Sequence, residues 1–213
     1  MIISKRKEKQ LIKQIAYTNQ VCIESGLIRS SDGNISIRVA EDYYLITASG
    51  LYKRKLKGKH ILAVNSKGEL LRGKRGLKPS SELLMHMAAY RQRPDIRAVL
   101  HAHPPFATAL TIAGVPFPNN IVPEVPALLG EVAIAAYATP GTTDLASSIS
   151  GLINNHDAVL LSNHGSLTVG KTLEQALINL ERLELVAKMF YLAKTMGQVV
   201  PLPDAEISRL LDQ

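Results

Sequence analysis

Ala98-Val99-Leu100-His101-Ala102-His103 is the segment around which the rest of this sequence is organised. Side chains alternate between the two faces of a β-strand, so residues two apart point the same way. An apolar run that leads into a His-x-His pair therefore predicts a buried strand. Such a strand brings two imidazoles, those of His101 and His103, to one place.

A third histidine follows another apolar segment, predicted as a strand over residues 157–162, in Asn163-His164-Gly165. The glycine allows the backbone to approach a site closely, which makes His164 a candidate partner of the pair. Three histidines with one open coordination position are the ligand set of a catalytic zinc ion. Unrelated core and surface histidines are the alternative, but the His-x-His spacing favours a metal site.

Length and composition indicate an ordinary globular protein. The chain has 213 residues, of which 46% are apolar and 20% charged, and we expect one domain spanning residues 1–213. No apolar run approaches the roughly 20 residues that cross a bilayer, and the basic start of the sequence is not followed by the apolar core of a secretory signal. A single cysteine, Cys22, excludes an intrachain disulfide. We therefore expect a cytoplasmic protein without a membrane partner.

The net charge of +7 raises the question of nucleic-acid binding. The excess is concentrated in three stretches, at residues 5–7, 53–59 and 72–78. They carry little aromatic interleaving and match no helix-turn-helix or RNA-recognition signature. We expect no nucleic-acid partner. The stretches are interpreted as a solvated basic rim or as a field that attracts a phosphorylated small molecule.

Short hairpins alternate with helices along the chain, which favours an α+β or mixed α/β fold with a mostly antiparallel sheet covered by helices. Pro79-Ser80-Ser81-Glu82 is typical of a helix entrance. The other predicted elements are a helix ending near Gly26, hairpins at 35–47 and 61–71, helices at 105–114 and 144–153, and a final helix from a Thr172-x-x-Gln175 capping box to about Thr195.

Three short segments combine hydroxyls and glycines in a way that suits a phosphate group. Exposed backbone N–H groups and the dipole at a helix start both favour negative charge. Turn and cap roles explain each segment taken alone, but together they predict a phosphate cradle beside the metal. The residues concerned are Asn34, Ser49, Gly50, Ser80 and Ser81.

Glu82 is predicted in the first turn of the helix that begins after this cradle. A carboxylate there is an ordinary partner of the helix dipole. Beside an open metal position it becomes a candidate general base whose pKa is set by the metal and by burial. His86 lies one turn later and is interpreted as structural.

Five motifs occur together in the order and approximate spacing of a known family. They are Gly33-Asn34, Thr47-x-Ser49-Gly50, Pro79-Ser80-Ser81-Glu82, His101-x-His103 and Asn163-His164-Gly165. From about residue 10 to 195, the sequence resembles the zinc-dependent class II aldolase/epimerase family, typified by fuculose-1-phosphate aldolase.

The resemblance implies an α/β fold of α/β/α layers around a mainly antiparallel sheet, and a homotetramer with active sites between subunits. It implies one zinc ion per subunit on His101, His103 and His164, with Glu82 as the acid/base and a further metal contact when substrate is absent. Asn34, Ser49, Gly50, Ser80 and Ser81 would hold the phosphate. The implied reaction is reversible cleavage of a ketose 1-phosphate into dihydroxyacetone phosphate and a small aldehyde.

Two departures from the family bear on the substrate. The loop 121–125 carries Glu124 where family aldolases carry a tyrosine given to the neighbouring site. A glutamate there resembles methylthioribulose-1-phosphate dehydratase relatives and makes Glu124 a second catalytic candidate. The sequence also ends at Gln213, without the tail tyrosine of family aldolases. We therefore expect a small, apolar aldehyde half, as in 5-deoxyribulose 1-phosphate, with fuculose 1-phosphate as the other candidate.

Other activities on the same scaffold stay open. Dehydration draws on Glu124, and a sugar-phosphate decarboxylase is a further alternative. The epimerase branch uses an aspartate where this sequence has Glu82. A purely structural role, as in the head domain of adducin, is disfavoured because relatives of that kind lose the metal histidines.

Overall fold

The computed structural model of the protein describes residues 4–211. Its centre is one eight-stranded sheet with the strand order β4-β3-β2-β1-β5-β8-β7-β6. Every neighbouring pair is antiparallel except β6 and β7, which are parallel. The strands are β1 (Asn34–Ala40), β2 (Tyr43–Thr47), β3 (Ile61–Val64), β4 (Leu70–Arg72), β5 (Ala98–Ala102), β6 (Ala133–Ala135), β7 (Ala158–Leu161) and β8 (Gly165–Gly170).

Helices cover both faces of this sheet. One hydrophobic core packs α1, α3 and α5 against one face, and the other packs α2 and α4 against the opposite face. The helices are α1 (Lys5–Glu24), α2 (Leu83–Gln92), α3 (Pro105–Ile112), α4 (Thr143–Ser150), α5 (Leu173–Met196) and α6 (Asp204–Leu211). The predicted α/β class, with α/β/α layers and a mainly antiparallel sheet, is confirmed.

The alternation of side chains along the central strands divides them between the two cores. In β5, Leu100 belongs to the core under α1, α3 and α5, whereas Val99 belongs to the core under α2 and α4. His101 therefore shares its face of the sheet with Val99 and looks toward α2. This parity decides which helix can contribute to the site.

Both predicted hairpins and the long final helix are confirmed. Thr142 and Thr172 accept hydrogen bonds from the third residue beyond them and so cap α4 and α5. The Thr172 capping box forms only in part, because the Gln175 side chain accepts from the N–H of Lys171 rather than from that of Thr172. The helix expected over 144–153 ends at Ser150.

Several elements were not predicted because they are too short to show a hydrophobic repeat. They are β6, α6, two 3-10 turns at Lys53–Lys55 and Gly58–His60, and a single π-helical turn at Val125–Leu129. Glu82 is the N-cap residue of α2 rather than a member of its first turn. Among the helices within residues 4–211, none is long and apolar enough to cross a membrane.

Candidate active site

The sheet register places His101 at the centre of the site. His101 lies within β5, is fully buried, and is paired directly with Asn34 of β1. Its Nδ1 is 2.9 Å from the carbonyl oxygen of Ser166 on β8, to which an Nδ1–H donates. Nε2 is then left to face the space between β5 and the start of α2.

His103 follows immediately after β5, and its backbone is anchored on both sides. Its N–H donates to the carbonyl of Leu27 at 3.1 Å. Just beyond it, both carboxylate oxygens of Glu184 on α5 accept the N–H groups of Phe106 and Ala107, which fixes the first turn of α3. The result is that His103 Nε2 lies 3.1 Å from His101 Nε2.

His164 comes from the tight turn between β7 and β8, directly after the strand that the sequence predicted over residues 157–162. The preceding Asn163 has a φ of +56°, in the left-handed region. A Cβ on Gly165 would lie 2.8 Å from Cδ2 of His103 and closer still to the carbonyl oxygen of Ala102. Only glycine therefore lets this turn approach the end of β5, and the approach brings His164 to the other two histidines.

Glu82 reaches into the same cluster from the start of α2. Its Oε2 lies 3.1 Å from Nε2 of His101, and its Oε1 lies 3.3 Å from Nε2 of His164. Asn34 Nδ2 donates to Oε2 at 2.7 Å. Within residues 4–211, the buried Oε1 has no hydrogen-bond partner.

Burial determines the charge state of these side chains. It lowers the pKa of His103 to about 3 and that of His164 to about 4, with a further contribution from the charge of His101. At pH 7 both imidazoles are neutral. Burial acts to raise the pKa of Glu82, but the hydrogen bond and charge of His101, with the Asn34 amide, hold it well below its usual range. Glu82 is a carboxylate at pH 7.

The donor set fits a metal ion. Ligand atoms of His101, His103 and His164 all lie within 4.8 Å of one another. Neutral imidazoles offer lone pairs, and a buried carboxylate oxygen without a hydrogen-bond donor lies against them. Three histidine nitrogens and a carboxylate oxygen are ligands that zinc and similar divalent transition metals accept.

Two of the three segments predicted to bind phosphate come together at one β-bridge. Ala48 pairs with Pro79, with the Ser49 N–H donating to Lys78 and the Ser80 N–H to Thr47, at 2.9 and 3.2 Å. Ser49 is thereby brought next to the entrance of α2. Ser49, Gly50 and Ser81 are exposed, whereas Ser80 is buried.

Ser80 Oγ accepts the N–H of Glu82 at 3.3 Å, as a hydroxyl at a helix entrance does. Asn34 is turned away from these serines. Its amide contacts Glu82 on one side and His86 on the other. The predicted contact of Asn34 with phosphate stays a prediction, while its contact with the carboxylate is a feature that sequence reasoning did not find.

Glu124 is separated from the cluster. It is exposed at the start of the π-helical turn and, within the described part of the chain, makes no hydrogen bond to a histidine of the cluster or to Glu82. Its role in catalysis stays a prediction that depends on another subunit.

Sequence reasoning passed over Lys53, which is only 3% exposed. Burial lowers the pKa of Lys53 to about 8, although Asp32 and Glu82 favour its charged form. Sequence reasoning also interpreted His86 as structural and assigned no functional role to Ser36 or Tyr90. The sequence spacing could have indicated that these residues lie together. Residues 82, 86 and 90 are each one helical turn apart, and residues 34 and 36 share one face of a strand.

Comparison with known proteins relates this geometry to characterised chains. The family described as Class II Aldolase and Adducin N-terminal domain matches residues 13–191. A 5-deoxy-D-ribulose 1-phosphate aldolase of Bacillus thuringiensis serovar kurstaki is 37% identical over 208 residues, 96% of this chain and 94% of the relative. A 3-oxo-tetronate 4-phosphate decarboxylase of Escherichia coli O6:H1 is 31% identical over 189 residues, 87% of this chain and 88% of the relative. A solved L-fuculose 1-phosphate aldolase superposes with a TM-score of 0.86 at 32% identity, covering 99% of this chain and 97% of that one.

Proposed function

The chain belongs to the class II aldolase and adducin N-terminal domain family, and from this membership we propose that it is a zinc-dependent aldolase acting on ketose 1-phosphates. The reaction is reversible cleavage of the C3–C4 bond into dihydroxyacetone phosphate and a small aldehyde. The observation that carries the proposal is the position of the Glu82 carboxylate, 3.1 Å from His101 and 3.3 Å from His164.

His101, His103 and His164 would hold the zinc ion, one per subunit. When bound, the ion supplies a Lewis acid that stabilises negative charge developing on substrate oxygens. The protein fixes its ligands beforehand, since the Nδ1–H of His101 is committed to Ser166 and Nε2 is directed at His103 and Glu82. Glu82 would be a fourth contact while substrate is absent.

Glu82 would then act on the proton at C3. In cleavage, Glu82 would take the proton of the C4 hydroxyl as that oxygen becomes the aldehyde carbonyl. The C3–C4 bond would break with its electron pair on C3, and Glu82 would return the proton to C3. In condensation the same proton leaves C3. A buried carboxylate that is ionised at pH 7 can accept that proton and return it, which is general acid–base catalysis.

Ser49, Gly50, Ser80, Ser81 and Asn34 would hold the phosphate of dihydroxyacetone phosphate. For the segments of Ser49–Gly50 and Ser80–Ser81, the support is their meeting at the Ala48–Pro79 bridge beside the entrance of α2. Asn34 lies on β1, outside this bridge. A phosphate there receives hydroxyl and backbone donors together with the positive end of the helix dipole. A phosphate held in this way would set the distance from C3 to Glu82.

We propose 5-deoxyribulose 1-phosphate as the preferred substrate, with fuculose 1-phosphate second. The aldolase at 37% identity is named for the former sugar, and a loop 121–125 without the family tyrosine offers one hydroxyl donor fewer to polar groups on the aldehyde. The relative at 31% identity supports a decarboxylase as the second candidate, because loss of carbon dioxide from a 3-oxo acid also leaves an electron pair beside a carbonyl.

We further propose a homotetramer with active sites between subunits, a single domain over residues 1–213, and a cytoplasmic location. Exposed apolar side chains support a subunit interface: Leu128, in the π-helical turn after Glu124, is 56% exposed, and Tyr137, after β6, is 61% exposed. One eight-stranded sheet shared by both cores supports the single domain. A lone, buried cysteine supports a reducing compartment.

The test is metal content, followed by a coupled assay for dihydroxyacetone phosphate on the same sample. We expect about one zinc per chain and release of dihydroxyacetone phosphate from 5-deoxyribulose 1-phosphate faster than from fuculose 1-phosphate. Carbon dioxide from 3-oxo-tetronate 4-phosphate, without cleavage of either sugar, would favour the decarboxylase. Zinc with neither reaction would favour dehydration, and a metal-free active sample would refute the proposal.

A further inference from the structure

Behind Glu82, four buried side chains form one line of hydrogen bonds that the reaction outlined above does not use. The Tyr90 hydroxyl lies 2.8 Å from Ser36 Oγ, and Ser36 Oγ lies 2.7 Å from His86 Nδ1. His86 Nε2 is within hydrogen-bonding distance of Asn34 Oδ1. Asn34 Nδ2 completes the line by donating to Glu82 Oε2 at 2.7 Å.

The line is built by two matching repeats. Glu82, His86 and Tyr90 are spaced by one turn at the start of α2 and along it, while Asn34 and Ser36 point the same way from β1. Successive turns of a helix are about 5.4 Å apart and alternate strand residues about 6.6 Å apart. The side chains of the α2 row (Glu82, His86 and Tyr90) and of the β1 row (Asn34 and Ser36) therefore alternate with little offset.

The direction of every hydrogen bond in the line is determined. A carboxylate oxygen only accepts, so Asn34 must present Nδ2 to Glu82 and Oδ1 to His86. Oδ1 also only accepts, so the proton of the His86 ring lies on Nε2 and Nδ1 accepts from the Ser36 hydroxyl. Ser36 then accepts from the Tyr90 hydroxyl at 2.8 Å, and the Tyr90 hydroxyl also lies 3.5 Å from the carbonyl oxygen of Arg97. Burial lowers the pKa of His86 to about 3, so the ring is neutral and carries a single N–H.

We propose that His86 is a positioning residue for Glu82: Tyr90 and Ser36 hold it in its Nε2–H tautomer, and through Asn34 it fixes one oxygen of the catalytic carboxylate. Every donor in the line points toward Glu82, and the carboxylate is its terminal acceptor. Oε2 is thereby restrained while Oε1 is left without a donor from residues 4–211. The free oxygen is the one that faces His164 and would meet the substrate proton.

The inference rests on the proposed role of Glu82. A glutamate side chain has three torsions, and its cost of ordering is removed in advance when a neighbour fixes it. The alternative is that His86, Ser36 and Tyr90 only fill and satisfy the core between α2 and β1. A core role affects stability, whereas a positioning role affects kcat and depends on the tautomer.

The first experiment reads the tautomer of His86 in the metal-loaded protein by ¹⁵N NMR of its imidazole, assigned by the signals lost in His86→Gln. We expect the Nε2–H form alone in the wild type and a mixture in Asn34→Leu, where His86 Nε2 has lost its acceptor. An Nδ1–H ring in the wild type would overturn the inference. This reading does not depend on any enzymatic activity, so it stands apart from a failure of the proposed function.

The second experiment compares kcat and KM for ketose 1-phosphate cleavage. Glutamine can still donate to Asn34, so His86→Gln should stay within about fivefold of the wild type, whereas His86→Leu should lose about 10- to 100-fold in kcat with KM and zinc content little changed. Tyr44→Phe is the matched control, since Tyr44 packs on Tyr90 but its hydroxyl donates to Glu41 outside the line. Equal kcat in His86→Leu and the wild type would overturn the inference. If His86→Leu does not fold, Tyr90→Phe replaces it as the test. Equal kcat values in Tyr90→Phe and Tyr44→Phe would then overturn the inference.

Discussion

Asn34 and His101 face each other across β1 and β5, and both reach the same atom, Glu82 Oε2, at 2.7 and 3.1 Å. A single register of the sheet therefore presents an amide donor and an imidazole to one carboxylate. A slip of one residue would turn Asn34 to the opposite face of the sheet, away from α2. The predictions below follow from this arrangement and from the turns that complete it.

His103→Ala should lose zinc and activity together. Removing one of three imidazoles leaves too few ligands, and we expect metal affinity to fall by more than about 100-fold, beyond the loss typical of outer contacts. Metal analysis after dialysis, with the cleavage assay on the same sample, measures both. His60→Ala, at a histidine outside the cluster, should keep both, and a His103→Ala protein that retains zinc would contradict the ligand assignment.

Glu82→Gln should retain zinc and lose turnover. The three histidines still bind the metal, but an amide cannot accept the C3 proton, so kcat should fall by about 10²- to 10⁴-fold. Steady-state kinetics and metal content are the measurements. Glu174→Gln, at an exposed glutamate on α5, serves as the control. Wild-type turnover in Glu82→Gln would show that another group is the base.

Gly165→Ala should disrupt the histidine cluster although it replaces none of the proposed metal ligands. The added Cβ would lie 2.8 Å from Cδ2 of His103, so either the imidazole or the turn that carries His164 must move. We expect lower zinc occupancy and a loss of about 1–3 kcal/mol in the free energy of unfolding. Gly151→Ala provides the comparison because a Cβ there meets no atom within 4 Å. Full zinc binding by Gly165→Ala would mean that this close approach does not position His103.

Glu124→Gln should be inactive by itself but active when mixed with Glu82→Gln. If Glu124 acts in the site of a neighbouring subunit, random exchange of subunits restores about a quarter of the sites. The measurement is the cleavage rate of the two inactive variants before and after they are mixed under subunit-exchange conditions. Full activity of Glu124→Gln alone would remove Glu124 from the catalytic residues.

Lys53→Met should be more stable than the wild type near neutral pH. Lys53 has a pKa of about 8 in the folded chain, against roughly 10.4 when unfolded. Below pH 8 both states carry the proton and burial of the charge destabilises the fold in full. Between the two values the unfolded state binds more protons, so the stability of the wild type rises with pH.

The advantage of Lys53→Met should therefore be about 1–3 kcal/mol at pH 7 and should shrink toward pH 10. Urea unfolding at both pH values measures it. Lys55→Met, an exposed position on the same 3-10 turn, should show no such pH dependence. Equal stability of Lys53→Met and the wild type at pH 7 would indicate that the ammonium is compensated in the fold.

Much of the fold could be predicted because its signals are local. Hairpin turns, cap residues such as Thr142, and the His-x-His strand carry their meaning within a few residues, and the family identification from five motifs is confirmed. The π-helical turn at Val125–Leu129 and strand β6 have no such local signature. Their structure comes from packing against β7 and the core.

The site was predictable as a set of residue types but not as a set of contacts. His101, His103, His164 and Glu82 were singled out by spacing and by resemblance, and the structure brings them together. What the sequence did not reveal is the orientation of Asn34 toward Glu82. That contact depends on the register of β1 against β5 and on the rotation of α2, neither of which is encoded in any one segment.

His101 and His164 differ in how their backbones are held. His101 lies in β5, the fifth of eight strands in the sheet, which has hydrogen-bonded neighbours on both sides. His164 lies in the turn between β7 and β8, after Asn163, which has a positive φ. We accordingly expect amide exchange in β5 to require opening of the whole domain, and the turn to open on its own. We therefore expect a bound ion to be released by motion of the turn that carries His164, so that the lifetime of the metal complex depends on this turn rather than on the stability of the sheet.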